Sequence, residues 1–458
     1  MTTTDDNCQE NLVPPEGSTA KRLTEAVLLG TPDPEDPDAP RYCWLSSRAP
    51  SLAVPLGSDL LSRFGLSGAD DVVLSMDEAR IFLTQGRWSG VCVERPGQAL
   101  AATLADHLSP AATQLGRVNL LLRECDGTVT GDFTLGTGLS RLLPSLGVPL
   151  TECRALLLTD DETDPLATGL VRLLKHLGAP AAQVVGIDAP LSAEALAALP
   201  GAQEATFLIN GSHFGATPHF EEMPITTPET LRALPALRAV LDLVDDPVRT
   251  RLVWNAQRMG LSARSALGLR IVEAREAAEL FIGRTLPFCA TRSILADIRR
   301  EATNIVLIGM PGCGKTTVGK ALAAKLLREF VDIDTLVEQR VGKSSARIYR
   351  EEGEEFFRQH ETAVIESLAG RHGLVISTGG GACLRPRNRM LLALNGTFFW
   401  MQRPLSKLST YRRPLSQQRG VETLYEERSP IYRALAERVI TVKSVEETVA
   451  AIIGEDGH

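Results

Sequence analysis

Two hydrophobic rhythms alternate along most of this chain. Short apolar runs are followed by longer stretches whose apolar positions recur every three or four residues, the pattern of buried strands joined by amphipathic helices. Over residues 41–290 the strand-like runs are Gly90–Val93, Val118–Leu122, Ala155–Leu158, Ala182–Ile187, Thr206–Asn210 and Ala239–Leu243. Pro165 to Leu177 reads as one of the helices between them. This alternation predicts parallel sheet with crossover helices, an α/β fold class. The rhythm resumes after residue 302, with strands expected at Ile305–Ile308, Phe330–Asp334, Leu374–Thr378, Gly396–Gln402 and Val439–Val442. Helices are expected from about Val318 to Leu327, Glu354 to Arg371 and Val445 to Ile453. Between the two regions, Thr291–Glu301 carries Ile294, Leu295 and Ile298 at helical spacing, which predicts a short connector and a boundary near residue 295.

The rhythm is missing at the start. Residues 1–40 are polar, and Thr31–Pro40 alternates prolines with acids. Prolines donate no ladder hydrogen bonds and the acids repel one another, so a disordered or extended leader is expected. The organisation read from the sequence is therefore a leader over 1–40, an α/β domain over 41–295 and a second α/β domain over 302–458.

Composition changes this picture little. A length of 458 residues fits two to four domains, each able to bury its own core. The net charge of −8 argues against a general binder of nucleic acid or of anionic membranes, though not against a local basic pocket. Cys8, Cys43, Cys92, Cys125, Cys153, Cys289, Cys313 and Cys383 are scattered without a C-x-x-C pair, as expected of reduced thiols. No secretion signal and no apolar run of membrane-spanning length is visible, and a cytoplasmic protein is expected.

The chemistry concentrates in the second domain. NIVLIGMPGCGKTTVGK, Asn304 to Lys320, places a G-x-x-x-x-G-K-[ST] loop between a strand-like and a helix-like run. Glycines let backbone N–H groups approach phosphate oxygens, and the following helix adds the positive end of its dipole. Gly309, Gly312, Cys313, Gly314, Lys315, Thr316 and Thr317 are the candidate nucleotide contacts, with Lys315 reaching the β- and γ-phosphates and Thr316 ligating Mg²⁺. Asp332 and Asp334, spaced i, i+2 at a strand end, are expected on one face, Asp332 toward the metal's water shell and Asp334 toward an acceptor hydroxyl. Further on, Arg358 offers a planar fork for a carboxylate and Glu361 lies three residues later, close enough on a helix to orient it. Gly379, Gly380 and Gly381 follow a strand directly, where backbone N–H groups can approach a ligand. The basic stretch Arg403–Arg419 contains Arg412-Arg413-Pro414, a loop whose cations can close over phosphates.

GMPGCGKTT, DID, EFFRQHE, STGGG, RRPL and RSPIYR, in that order, make residues 302–458 resemble shikimate kinase closely. The resemblance implies a P-loop kinase fold with a five-stranded parallel sheet, and transfer of the γ-phosphoryl of ATP to the 3-hydroxyl of shikimate with Mg²⁺. It implies Lys315, Asp334 and Arg413 as catalytic residues and Thr316 with Asp332 at the metal. It further implies Arg358 and Arg433 on the shikimate carboxylate, and Asp334 with Gly379, Gly380 and Gly381 along the ring. Tyr349 and Phe357 would form an apolar wall. Arg413 would be the lid arginine on the phosphates, with Arg412 the candidate beside adenine in a lid, Pro404 to Leu415, shorter than in many members.

Residues 41–290 resemble shikimate dehydrogenase in the order of their phrases: Ser51-Leu52 to Leu66, Trp88–Val93, Leu108–Asn119, Gly131–Gly138 and Ala266–Phe281. The departures fall on the chemistry. Gln98 stands near the expected catalytic lysine and Leu135 where the family's aspartate is expected, and neither side chain titrates for proton transfer. Ala53 and Glu273 replace a serine and a glutamine. The turn Thr159–Asp164 has four carboxylates and no glycine where a pyrophosphate would sit. No NADP binding is expected. A structural or assembly domain, a ligand sensor using Asn119 and Ser51, and a working dehydrogenase are the three readings of this region. For the whole chain the first reading is a shikimate kinase with an inactive partner domain. The others are a bifunctional dehydrogenase–kinase and a non-catalytic pathway regulator.

Overall fold

Which apolar runs become strands, and in which direction they pair, follows from what covers them and from the length of chain between them. The computed structural model describes residues 41–46, 57–66, 68–94, 97–217, 219–244, 247–408 and 419–454. The expected leader, Ser51 to Ala53 and the lid arginines Arg412 and Arg413 lie outside the described residues. Two compact units form. One holds the described residues up to Leu142 together with Leu269–Ile294; the other holds Leu143–Gly268 together with the residues from Leu295 onward.

In the first unit β1 (Tyr42–Ser46), β2 (Asp70–Val73), β3 (Gly90–Val93), β4 (His107–Leu108), β5 (Leu120–Arg123) and β6 (Val129–Asp132) form one sheet in the order β2-β1-β3-β5-β6-β4. The expectation of purely parallel sheet is corrected here, because β5 runs antiparallel to both β3 and β6. The reason is chain length: β5 and β6 are joined by a tight turn in which Glu124 N donates to Thr128 O at 2.8 Å. A parallel return needs a crossover of a dozen or more residues.

In the second unit β7 (Arg154–Thr159), β8 (Ala181–Gly186), β9 (Phe207–Asn210), β10 (Ala239–Asp242) and β11 (Ser262–Ser265) form a five-stranded sheet in the order β11-β10-β9-β7-β8. Every pair in it is parallel. The expected amphipathic crossover is Pro165–His176, which buries Leu170, Leu173 and Leu174.

The same unit contains β12 (Asn304–Ile308), β13 (Phe330–Asp332), β14 (Val375–Ser377), β15 (Gly396–Gln402) and β16 (Arg438–Thr441), a second all-parallel sheet in the order β13-β14-β12-β15-β16. Central β12 is apolar along its length because helices cover both faces of a parallel sheet, and Val306, Leu307 and Ile308 are fully buried. Each such side chain contributes about 1.5–3 kcal/mol relative to exposure. The connector is longer than expected, a helix over Phe288–Ala302 that buries Ile294 and Ile298. Among the described residues no helix is long and apolar enough to cross a membrane.

Candidate active site

Ligands of open parallel sheets bind beyond the carboxyl ends of the strands. The chain leaves β12 there through Gly309, whose φ of +143° suits glycine and whose Cβ, if present, would lie 2.6 Å from Met401 O. At the far end of the loop Gly314, at φ +106°, turns directly into the helix Lys315–Leu326. That helix starts at Lys315, where the dipole argument requires it, with Thr316 and Thr317 exposed in its first turn. Buried Lys315 folds back over the loop, its Nζ donating to Gly309 O at 2.9 Å and to Met310 O at 3.0 Å. Cys313 is buried beneath it, so any ligand contact from this residue falls to its backbone.

The two aspartates do not share a strand face, which corrects the expected arrangement. β13 ends at Asp332, whose side chain caps the helix Ile333–Val341 by accepting from Thr335 N at 3.2 Å. Asp334 sits in the first helical turn. An aspartate is a favourable N-cap, and that preference ends the strand two residues short of carrying the pair. The other oxygen of Asp332 accepts from Thr316 Oγ1 at 2.8 Å, and Ser377 Oγ lies 3.4 Å from the same hydroxyl. Among the described residues no cluster of three His, Cys, Asp or Glu side chains forms a metal cage. One hydroxyl and one carboxylate fit Mg²⁺, which takes few protein oxygens and completes its octahedron with water and phosphate.

Around the glycine run the side chains crowd against bare backbone. A Cβ at position 379 would lie 2.5 Å from Asp334 Oδ1 and 2.9 Å from Glu361 Oε1. At position 381 it would lie 2.1 Å from Arg358 Nη2. Gly379 and Gly381 thus let the Asp334, Glu361 and Arg358 side chains lie directly against the backbone. Burial pushes the Asp334 carboxyl up to about 7, with the charges of Glu361 and Asp332 adding to the effect. Arg358 is held by fully buried Glu361, with Nη1 donating at 3.0 and 2.8 Å to the two carboxylate oxygens. The expected i, i+3 orienting pair is therefore present and desolvated. Tyr349 stacks on Phe357 with ring centroids 4.7 Å apart, forming the expected apolar wall.

Arg433 is not brought to this cluster. It is exposed on the helix Val421–Leu435, whereas Arg428 on the same helix is 2 % exposed. Five residues separate the two, about 140° around a helix of 3.6 residues per turn, so both cannot face the site. Arg428 Nη1 lies 3.1 Å from where a Gly380 Cβ would be, and its buried Nε and Nη2 have no hydrogen-bond partner. Buried guanidinium nitrogens left unpaired are costly. Tyr432, one turn on, donates its hydroxyl to Gly380 O and, at 3.3 Å, to Gly309 O, tying the glycine run to the phosphate loop. The i, i+4, i+8, i+11 spacing of Leu424, Arg428, Tyr432 and Leu435, all buried, was a signal available in the sequence.

The dehydrogenase-like residues are arranged differently. Gln98 is buried, donating Nε2 to Val93 O at 3.2 Å, and Leu135 is buried at the first position of the helix Leu135–Ser145. Asn119 is tied down as a structural residue: its Oδ1 accepts from Thr134 N at 2.9 Å and its Nδ2 donates to Thr134 Oγ1 at 3.0 Å. In the second unit the acidic turn spends its carboxylates locally. Asp164 caps the helix Pro165–His176 by accepting from Leu166 N and Ala167 N, both at 3.2 Å. Glu162 accepts from Gly186 N at 2.9 Å, and Asp160 pairs with His213 at 2.7 Å. The helix N-terminus that would receive a pyrophosphate is occupied by the chain's own carboxylate.

The family model for shikimate kinase matches residues 311–456. A shikimate kinase from Chromobacterium violaceum is 38% identical over 166 residues, covering 34% of this chain and 89% of that protein. Among solved structures, a shikimate kinase from Acinetobacter baumannii in complex with shikimate is 34% identical, covering 34% of this chain and 97% of that one, with a TM-score of 0.32. A chorismate mutase/shikimate 5-dehydrogenase fusion protein from Clostridium acetobutylicum is 16% identical over 57% of this chain and 98% of its own, with a TM-score of 0.47. With Lys315, Thr316, the capped Asp332 and the buried arginines inside the matched residues 311–456, and a curated relative matched over 89% of its length, the chain belongs, through its C-terminal third, to the shikimate kinase family.

Proposed function

We propose that this shikimate kinase works through the residues gathered at the carboxyl ends of β12, β13 and β14, that residues 302–458 are its catalytic domain, and that residues 41–295 carry no second activity. Lys315 exchanges the carbonyls of Gly309 and Met310 for the β- and γ-phosphate oxygens of ATP, so little reorganisation accompanies binding. Thr316 and, directly or through water, Asp332 would hold Mg²⁺, which would supply charge neutralisation on the phosphates. Asp334 orients the 3-hydroxyl of shikimate and takes its proton as the oxygen attacks the γ-phosphorus and the bond to the bridging oxygen breaks. Gly379, Gly380 and Gly381 line the ring.

The observation that carries this reading is the pair of buried guanidiniums beside the glycine run, Arg358 held by Glu361 and Arg428 with two nitrogens unspent. Two such forks suit a carboxylate, and they replace the expected Arg358–Arg433 clamp. Gln98, Leu135 and the self-capped turn at Asp164 support the absence of NADP binding and of hydride chemistry. Seven free cysteines among the described residues, five of them buried, suit the reducing cytoplasm.

The carboxylate clamp has a direct test in initial rates of ADP formation with shikimate and with its methyl ester, which keeps the 3-hydroxyl but loses the charge. The ester is expected to show a kcat/KM lower by about 10²-fold or more, the loss of charge-assisted hydrogen bonds to two buried arginines, with the KM for ATP unchanged. Equal efficiency for acid and ester would overturn the clamp.

A further inference from the structure

The carboxyl ends of the β12–β16 sheet carry the kinase site; its amino ends open on a second cavity, of about 830 Å³. Asn304 and Ile305 of β12, Thr397 and Phe399 of β15 and Arg438 of β16 line one side of it. Arg249 and Arg264 reach it from the Leu143–Gly268 segment of the same compact unit, and Arg299 from the connector helix. Strand rise of about 3.3 Å per residue puts about 13 Å between the ends of β12, so this cavity is separate from the phosphate loop.

Its charge runs against that of the chain. Arg249, Arg264, Arg299, Arg300, Arg328 and Arg438 line it, against the carboxylates of Asp297, Glu301 and Glu437, in a protein of net charge −8. Four of the six guanidiniums are committed. Arg249 donates to Ala393 O at 2.9 Å and pairs with Glu437 at 3.3 Å. Arg300 pairs with Asp297, Arg328 donates to Thr303 O at 2.9 Å, and Arg438 donates to Ile452 O at 3.1 Å. Arg264 reaches only the carbonyl of its neighbour Ala263, at 3.0 Å. The half-buried guanidinium of Arg299 meets no carboxylate or carbonyl among the described residues. Burial, and then the positive charges of Arg264 and Arg249, push Arg299 down to about 10. Like charges held together out of water cost folding free energy unless an anion joins them.

We propose that this cavity binds a small molecule bearing a multiply charged phosphate group, with Arg299 and Arg264 as the anchoring cations. Guanidinium forks match phosphate oxygens two at a time, and Ile305, Phe399 and Ile452 offer an apolar wall for the rest of the ligand. The kinase reading does not depend on this site.

Calorimetric titration of the full-length protein with pyrophosphate tests it. Two sites per chain are expected, one at the phosphate loop and one in the cavity. Arg299→Gln should weaken one of them by about tenfold or more, the loss expected for a charge-assisted phosphate contact, and leave the other and the kinase rate unchanged. Arg264→Gln should do the same. In pyrophosphate-free buffer Arg299→Gln should melt no lower than wild type, since it relieves a repulsion, which separates lost binding from lost folding. A single site in the wild type, or two sites untouched by both substitutions, would overturn the proposal.

Discussion

Asp334→Asn is expected to lower kcat for shikimate phosphorylation by about 10³-fold, within the range for removing a general base, while ATP affinity changes less than about threefold. The substitution is nearly isosteric and leaves the Asp332 cap and the Thr316–Asp332 contact in place. What it removes is a proton acceptor beside the ring site, where a Gly379 Cβ would come within 2.5 Å of Asp334 Oδ1. The asparagine is neutral, so it also relieves the repulsion that Glu361 and Asp332 impose on a buried carboxylate. Thermal stability at neutral pH should therefore hold or rise as activity falls. Steady-state rates, nucleotide titration and a melting curve on one preparation check all three. A loss of ATP affinity matching the loss in kcat would assign Asp334 to the nucleotide side instead.

Arg428→Ala is expected to raise the KM for shikimate by about 30- to 10³-fold, the range for truncating one partner of a buried charged hydrogen-bond pair. Arg433→Ala should stay within about twofold, since Arg433 is exposed on the same helix. The comparison separates the two arginines of RSPIYR, equivalent as letters but about 140° apart in helical phase. Arg428→Ala also leaves a cavity where a large side chain is buried, so its melting curve is compared with that of wild type. Arg358→Ala differs, because it strands Glu361, fully buried, without its counter-ion. Similar KM values for the two alanine variants would mean that Arg428 does not meet the substrate.

What could be read from the sequence was what is local in sequence. The phosphate loop occupies contiguous residues, and Lys315, Thr316 and the glycines stand where the pattern puts them. Arg358 and Glu361 were legible because an i, i+3 pair on a helix must meet. Gln98 and Leu135 were legible as departures from the resemblance, since neither side chain titrates. Features that depend on where an element ends, or how it is phased, were not. Asp332 and Asp334 shared a face only if the strand continued, and the cap at Asp332 stops it. The choice between Arg428 and Arg433 rested on helical phase. The antiparallel β5 was hidden because an apolar run carries no direction; only the short turn after it does. Asp164 directly before Pro165 was a helix-start signal that the reading left unused, and its cap fills the place of an incoming phosphate.

One working site, the kinase site, is expected in this chain. The most direct measurement incubates the full-length protein with Mg²⁺, ATP and NADPH, offers either shikimate or 3-dehydroshikimate, and follows NADPH absorbance together with phosphorylated product by ³¹P NMR. Shikimate is expected to yield shikimate 3-phosphate with one ADP per product. From 3-dehydroshikimate neither NADPH oxidation nor phosphorylated product is expected until an active shikimate dehydrogenase is added. Shikimate 3-phosphate formed from 3-dehydroshikimate by this protein alone would mean that residues 41–295 carry out the reduction without a titrating side chain at Gln98 or Leu135.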